Sequence, residues 1–145
     1  MAEGAGGPDA WLARDDGGLT LLGGWSATSG RHHFPPAPLC PYTGADDVEV
    51  VPLPRRGTLW AWTAVTSAPP GYEGPVPYGF GIVELEDAGL RVVGRLTESD
   101  PAALRFGQPM EVVPDELPGP SGRGSGKHGR LAVWAFAPTE MTTVP

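Results

Sequence analysis

The sequence predicts a mainly β protein built around a small five-stranded barrel, and three observations predict it. Between Gly57 and Leu96, apolar and other residues alternate at period two in three short runs. The chain's 22 glycines and 18 prolines punctuate its apolar runs and mark turns. Gly79, Gly81 and Gly94 fall inside the runs, where a small closed barrel must bend its strands.

Taken in order, residues 1–7 are a glycine-rich tail. Pro8 to Arg14 are expected to form one or two helical turns anchored by Trp11 and Leu12, or else a surface tail with one packed tryptophan. Asp15 to Gly18 make a turn, and Leu19 to Trp25 a strand. Val48, Val50 and Val51 lead into Pro52-Leu53-Pro54, a stiff extended connector. Thr58 to Thr66 is the first barrel strand, with Leu59, Ala61, Thr63 and Val65 on one face and Trp60 and Trp62 on the other. Ser67 to Pro77 is a long proline-rich loop, held in shape at low entropic cost. It suits a docking surface or a merely rigid connection.

Tyr78 to Leu85 is the second barrel strand and Leu90 to Leu96 the third, joined by the turn Glu86-Asp87-Ala88-Gly89. Ser99-Asp100-Pro101 is expected to open a single helical turn with Ser99 as its cap. Ala103, Leu104 and Phe106 would then plug the barrel end. Pro109 to Val113 is the fourth strand, with Met110 and Val112 inward. A long connection, Pro114 to Gly129, precedes the fifth, Leu131 to Phe136.

The totals exclude whole classes. A net charge of −7 opposes nucleic-acid binding, which needs a basic stripe. One cysteine permits no internal disulfide framework. The N-terminus shows no basic start followed by an apolar run, and no segment approaches a membrane span. The expectation is a soluble, cytoplasmic chain with no membrane contact.

The stretches GTLWAWTAV, APPGYEGPVPYGFGIVEL, GRL and DPAALRFGQPMEVV resemble the OB-fold half of the DUF35 family, and the likeness spans roughly residues 8–138. The resemblance implies a short N-terminal helix, a rubredoxin-like zinc ribbon and a five-stranded OB barrel. That places tail and helix in residues 1–18, ribbon in 19–54, barrel in 55–138 and a second tail in 139–145. The family pattern is Cys-x-x-Cys-Gly, a Phe-Pro-Pro segment, then Cys-Pro-x-Cys-Gly. Here the matching positions are Ser26, Ser29, Phe34-Pro35-Pro36, Cys40 and Thr43. Zinc is held by thiolate, imidazole or carboxylate, so one thiolate and three hydroxyls cannot make its tetrahedral site. A degenerate, metal-free ribbon is expected, held by hydroxyl hydrogen bonds, by packing of Trp25, Phe34 and Tyr42, or by a partner. His32 and His33, with Cys40 and Asp46 or Asp47, are weighed as a replacement metal set. Adjacent histidines in a strand point to opposite faces, so both are expected at the surface or at an interface instead. Ala37 stands where the family often has arginine.

Ser121 to His128 resembles a phosphate-binding loop in composition alone. Ser121 occupies the required first glycine position, and a strand follows where a helix is needed. The stretch 119–129 reads as a flexible linker, or as a mobile basic clamp whose Arg123, Lys127 and Arg130 contact the phosphates of coenzyme A. Cys40 is expected as a buried leftover rather than a nucleophile. Glu84, Glu86 and Asp87 are expected as solvated charge at a hairpin end.

The resemblance thus implies a non-catalytic accessory subunit in a hetero-oligomer with a thiolase-like or lipid-transfer-protein-like catalytic subunit. It binds no cofactor of its own and shares the partner's CoA thioester. The partner is a steroid side-chain retro-aldolase, or a β-ketothiolase or acyl-condensing enzyme. Trp25, Phe34, Tyr42, Tyr72 and Tyr78 are the expected partner anchors. The alternative from another class is a stand-alone OB module stacking single-stranded nucleic acid on Trp60, Trp62 and Trp134.

Overall fold

The computed structural model describes residues 12–15, 18–118 and 130–139. The strands are β1 (Leu12–Asp15), β2 (Gly18–Ser26), β3 (Arg31–His33), β4 (Val48–Pro52), β5 (Arg56–Val65), β6 (Tyr78–Leu85), β7 (Leu90–Leu96), β8 (Pro109–Pro118) and β9 (Arg130–Pro138). The first four form one sheet, in which β2 pairs with β1, β3 and β4. The rest close a barrel in the order β5-β6-β7-β9-β8, with β8 returning to β5. Its pairings are antiparallel except for β7 with β9, which run parallel where Leu96 meets Phe136.

The expected N-terminal helix is a correction. Leu12–Asp15 is a strand, in register from Leu12 opposite Leu21 to Asp15 opposite Gly18. A helix this short cannot repay its nucleation, whereas pairing with β2 satisfies the backbone and sets Leu12 against the core. The remainder of the expected helix lies outside the described residues. The valines leading into the connector are themselves a strand, since Val48–Pro52 pairs with Leu22–Ser26, and Leu53 and Pro54 then link it to β5.

In β5 the faces differ from simple alternation. The register against β6 slips between Leu59 and Ala61, a bulge that places Trp60 outside the ladder. One extra residue reverses every later side chain. Leu59, before the slip, is buried; after it Trp62 turns inward onto the core, and Ala61 and Thr63 leave Leu59's face.

The barrel core is Leu59, Val83, Leu85, Val92, Leu96, Met110, Val112 and Phe136. Leu19, Leu21 and Leu53 belong to the same cluster, with Phe34 packed against it, so the N-terminal sheet and the barrel bury apolar surface on one another. Gly94 lets the two aromatic residues of β9 reach this core. A Cβ there would lie 2.6 Å from Cζ3 of Trp134.

Three further expectations change. Asp100, not Ser99, caps the one-turn 3-10 helix Pro101–Ala103, its carboxylate accepting from the N–H of Ala102 at 3.0 Å. Leu104 plugs the barrel, whereas Phe106 is 69% exposed and Ala103 is exposed too. The fourth barrel strand continues to Pro118, where the sequence suggested a connection from Pro114, because Pro114 to Pro118 pair with β9.

Candidate functional site

Two places carry the residues singled out by sequence: the knuckles of the ribbon and the outer face of the barrel. At the knuckles, Ser26 ends β2 and Cys40 begins a tight turn closed by Gly44 N–H donating to Cys40 O at 2.7 Å. The four degenerate ligand positions still converge. The Ser29 N–H donates weakly to Ser26 Oγ at 3.4 Å, and the hydroxyls of Ser29 and Thr43 both hydrogen-bond the Cys40 sulfur.

The carboxylate of Asp47 organises the first knuckle. It accepts from Ser26 Oγ at 2.6 Å, from the Thr28 N–H at 2.8 Å and from Thr28 Oγ1 at 2.7 Å. These bonds hold its pKa below the usual carboxylate range, first through the hydroxyls of Ser26 and Thr28. Burial works against a Cys40 thiolate. Even so, bonds from the hydroxyls of Thr43 and Ser29 and the N–H groups of Tyr42 and Thr43 lower its pKa from 9.0 to about 6. Three hydroxyls and one thiolate do not fit zinc. Hydrogen bonds run through the positions where the family pattern has metal ligands, and among the described residues no three His, Cys, Asp or Glu side chains gather as a metal set.

The two histidines separate as adjacent strand residues must, but only His32 stays partly exposed. His33 is a correction to the surface expectation, being 5% exposed with its ring over Gly24. Its Nε2 accepts from the Ala37 N–H at 3.3 Å, and burial, then the neighbouring His32, lower its pKa. The absence of a side chain at Gly24 makes room for the imidazole, which therefore belongs to the ribbon's interior.

The expected aromatic anchors divide into four groups. Phe34 lies edge-on to Trp134 with ring centroids 5.9 Å apart and packs against the core. Trp25 is half-buried in β2. Tyr42 is exposed on the ribbon, stacked under the Arg31 guanidinium at 4.0 Å and donating to His32 O. Tyr72 and Tyr78 meet at 5.0 Å on the barrel, and the Tyr72 hydroxyl donates to Pro75 O at 2.7 Å. Arg123 and Lys127 lie outside the described residues. Arg130 begins β9 opposite Pro118.

The tryptophan stacking platform does not assemble. Trp62 packs inward and donates Nε1–H to Pro101 O at 3.1 Å, and Trp134 packs on Phe136 and the core. Only Trp60 of the three is exposed, and the Arg91 guanidinium covers it at 4.1 Å.

A surface the sequence reading missed lies on the outside of β6 and β7. Gly79, Gly81, Val83 and Leu85 of β6 are buried, so Tyr78, Phe80, Ile82 and Glu84 form its outer row. On β7, Val93 stands opposite Ile82 and is 52% exposed. With Ala61, Trp62, Thr63 and Gly81, the side chains of Phe80, Ile82 and Val93 line a shallow recess of about 240 Å³. A second open recess, about 580 Å³, begins at Thr63 and runs past Pro77 to Ser99, Asp100 and Pro101. The signal was present in YGFGIVEL, where apolar residues occupy both faces of one strand; such strands are covered on both sides.

The chain as a whole is similar to several known proteins. The family pattern described as ChsH2, C-terminal OB-fold domain, matches residues 50–115. A DUF35 domain-containing scaffold protein of Pyrococcus furiosus is 33% identical over 93 residues, covering 64% of this chain and 67% of that protein. The benzoylsuccinyl-CoA thiolase subunit BbsA of Thauera aromatica is 32% identical over 107 residues, covering 73% and 72%. Among solved structures, an Ltp2-ChsH2(DUF35) aldolase chain is similar with a TM-score of 0.57 and 28% identity, over 82% of this chain and 84% of that one.

Proposed function

This chain belongs to the DUF35 family, and we propose that it is the non-catalytic accessory subunit of a thiolase-superfamily enzyme acting on CoA thioesters. One observation carries the proposal. The relatives alike in both sequence and length include a thiolase subunit and a component of an aldolase complex, two enzymes that make or break carbon–carbon bonds. The side chains of this chain support it. Asp47 is committed to holding a knuckle, Asp115 and Glu84 sit in ion pairs, and Cys40 is buried under its own donors. In this reading the partner supplies the nucleophile, acid and base, and the accessory chain shapes and completes its surface.

The finer reading is a retro-aldolase partner, supported by the likeness to an aldolase chain, with a steroid side chain as the substrate that the family resemblance implies. The likeness to BbsA favours a second, a thiolase partner. The chemistry separates them, because thiolysis consumes free coenzyme A as the attacking thiol and retro-aldol cleavage does not. The test is to purify the chain from its native host, identify the co-purifying subunit and assay the pair with and without free coenzyme A. The isolated chain is expected to be inactive and the pair active. Turnover by the isolated chain, or stable pairing with no thiolase-superfamily protein, overturns the proposal.

A further inference from the structure

We infer that the outer face of β6 and β7 seats the catalytic subunit, and that the partner's contact surface is apolar at its centre and basic at both ends. This rests on the accessory-subunit reading and adds the place and chemistry of the contact.

The centre of the face is apolar. Phe80, Ile82 and Val93 lie side by side on neighbouring strands, with Phe80 38% and Val93 52% exposed beside the shallow recess. The Tyr72–Tyr78 pair extends the stripe along β6. Aromatic and aliphatic side chains at the middle of a polar-rimmed patch are the composition of an interface centre.

The charges beside this stripe are already compensated within the chain. Arg91 pairs with Glu84 at 3.4 Å and lies over Trp60, and Arg95 pairs with Asp115 at 2.7 Å beneath the Tyr78 ring. A phosphate approaching the stripe meets guanidinium groups whose charge is answered by carboxylates, which disfavours nucleic acid and the nucleotide end of coenzyme A. The ends of the stripe are acidic. Beyond Leu85 stand Glu86 and Asp87, both exposed. At the Tyr78 end stand Glu98 and Asp100, whose carboxylates accept from the backbone N–H groups of Asp100 and Ala102, Asp100 lining the second recess.

This pattern chooses the occupant. A second copy of the chain would bring an acidic end onto an acidic end whichever way it ran, between two molecules that each carry −7. A different chain with an apolar centre and Lys or Arg at each end matches both features.

The test uses the full chain and the thiolase-superfamily subunit that co-purifies with it, identified by mass spectrometry and re-expressed. Affinity is measured for Phe80→Asp, Val93→Asp and the double charge swap Glu86→Lys with Asp87→Lys, alongside melting temperature. Val50→Asp, on the exposed edge strand β4, is the control. Both apolar substitutions are expected to weaken binding at least tenfold with little change in melting temperature. The charge swap is expected to weaken it several-fold, an effect that fades in high salt, and Val50→Asp to leave it unchanged. Full affinity in folded Phe80→Asp and Val93→Asp overturns the docking face and leaves the accessory-subunit reading standing. Failure of any thiolase-superfamily protein to bind the native chain overturns both. A dimer of the chain alone that Val93→Asp converts to monomer makes a second copy the occupant and overturns the inference.

Discussion

Phe34 decides whether the ribbon's aromatic residues serve the chain or its partner. Replacing it by alanine removes a half-buried ring that packs on the shared core and lies edge-on to Trp134 at 5.9 Å. A fully buried phenylalanine costs about 3–5 kcal/mol on truncation. Partial exposure reduces that to about 2 kcal/mol, and loss of the edge-to-face pair restores roughly 0.5–1 kcal/mol. The expected loss is therefore about 2–3 kcal/mol. At about 4 °C per kcal/mol for a domain of this size, the melting temperature should fall by about 8–12 °C. Tyr72→Ala provides the contrast. Its ring meets Tyr78 in the exposed loop and its hydroxyl bonds only a neighbouring carbonyl, so the loss should stay below about 1 kcal/mol. Thermal denaturation of the isolated chain, followed by affinity for the catalytic subunit, separates the roles. Phe34→Ala with an unchanged melting temperature and collapsed affinity would refute the core assignment.

Cys40 should titrate near pH 6 in the folded chain, read by thiolate absorbance. Because its folded pKa lies below the unfolded value of 9.0, its contribution to stability is present above pH 9 and is lost as pH falls toward about 6, a slope that Cys40→Ser should remove. Asp47→Asn should loosen the first knuckle, seen as faster amide exchange at Thr28 and Ser29; unchanged exchange would mean that the carboxylate does not hold the turn. Gly94→Ala should cost about 1–3 kcal/mol, since its Cβ would press on the Trp134 ring 2.6 Å away, and a neutral melting temperature would show that the ring can move aside. The triple change Ser26→Cys, Ser29→Cys and Thr43→Cys should bind one zinc per chain and raise the melting temperature in a chelator-sensitive way; no uptake would show that the knuckles have lost ligand geometry as well as ligands.

The barrel was legible because its signal is periodic. Leu90 to Leu96 alternates in the structure as in the sequence, buried at Val92, Gly94 and Leu96. Reading failed where a single backbone event outweighs the pattern. The bulge at Trp60 moved Trp62 into the core, and no residue type in GTLWAWTAV marks that slip. The short strand Leu12–Asp15 was hidden because four residues carry too little pattern to tell a frayed helix from an edge that β2 can capture. Ser26, Ser29, Cys40 and Thr43 were legible as one cluster through the resemblance to the family's Cys-x-x-Cys pattern. Asp47 was not legible as its organiser, because its role depends on a hydrogen-bond geometry 21 residues away in the chain. The outer face was missed for a different reason. Its positions are set by strand parity alone, which exposes Phe80 and Val93 with Ile82 between them, while most of the tryptophans that stand out in the sequence are partly buried.

We propose that the ribbon holds no zinc; a structural zinc contributes folding energy directly, so a ribbon without one demands a substitute. The first candidate, the hydrogen-bond cluster at the knuckles, is too exposed at Asp47 to carry that burden alone, since water competes for the carboxylate's bonds. The larger substitute lies at the other end of the ribbon. Leu19 and Leu21 of β2 and Leu53 after β4 are almost fully buried in the barrel's own cluster, and Phe34 joins them from the loop between the knuckles. Burying a leucine stabilises by roughly 1.5–3 kcal/mol, so three of them anchor the ribbon through its strands rather than through its turns. The turns then need only keep their shape, which hydroxyls and one carboxylate suffice to do. This division predicts an order of loss: acid or Asp47→Asn frays the knuckles locally while the sheet stays docked, whereas Leu21→Ala undocks the sheet and unfolds ribbon and barrel together. Amide exchange in Gly23–Ser26 that tracks global unfolding in Leu21→Ala but not in Asp47→Asn would support it, and the reverse pattern would return the ribbon's stability to its turns.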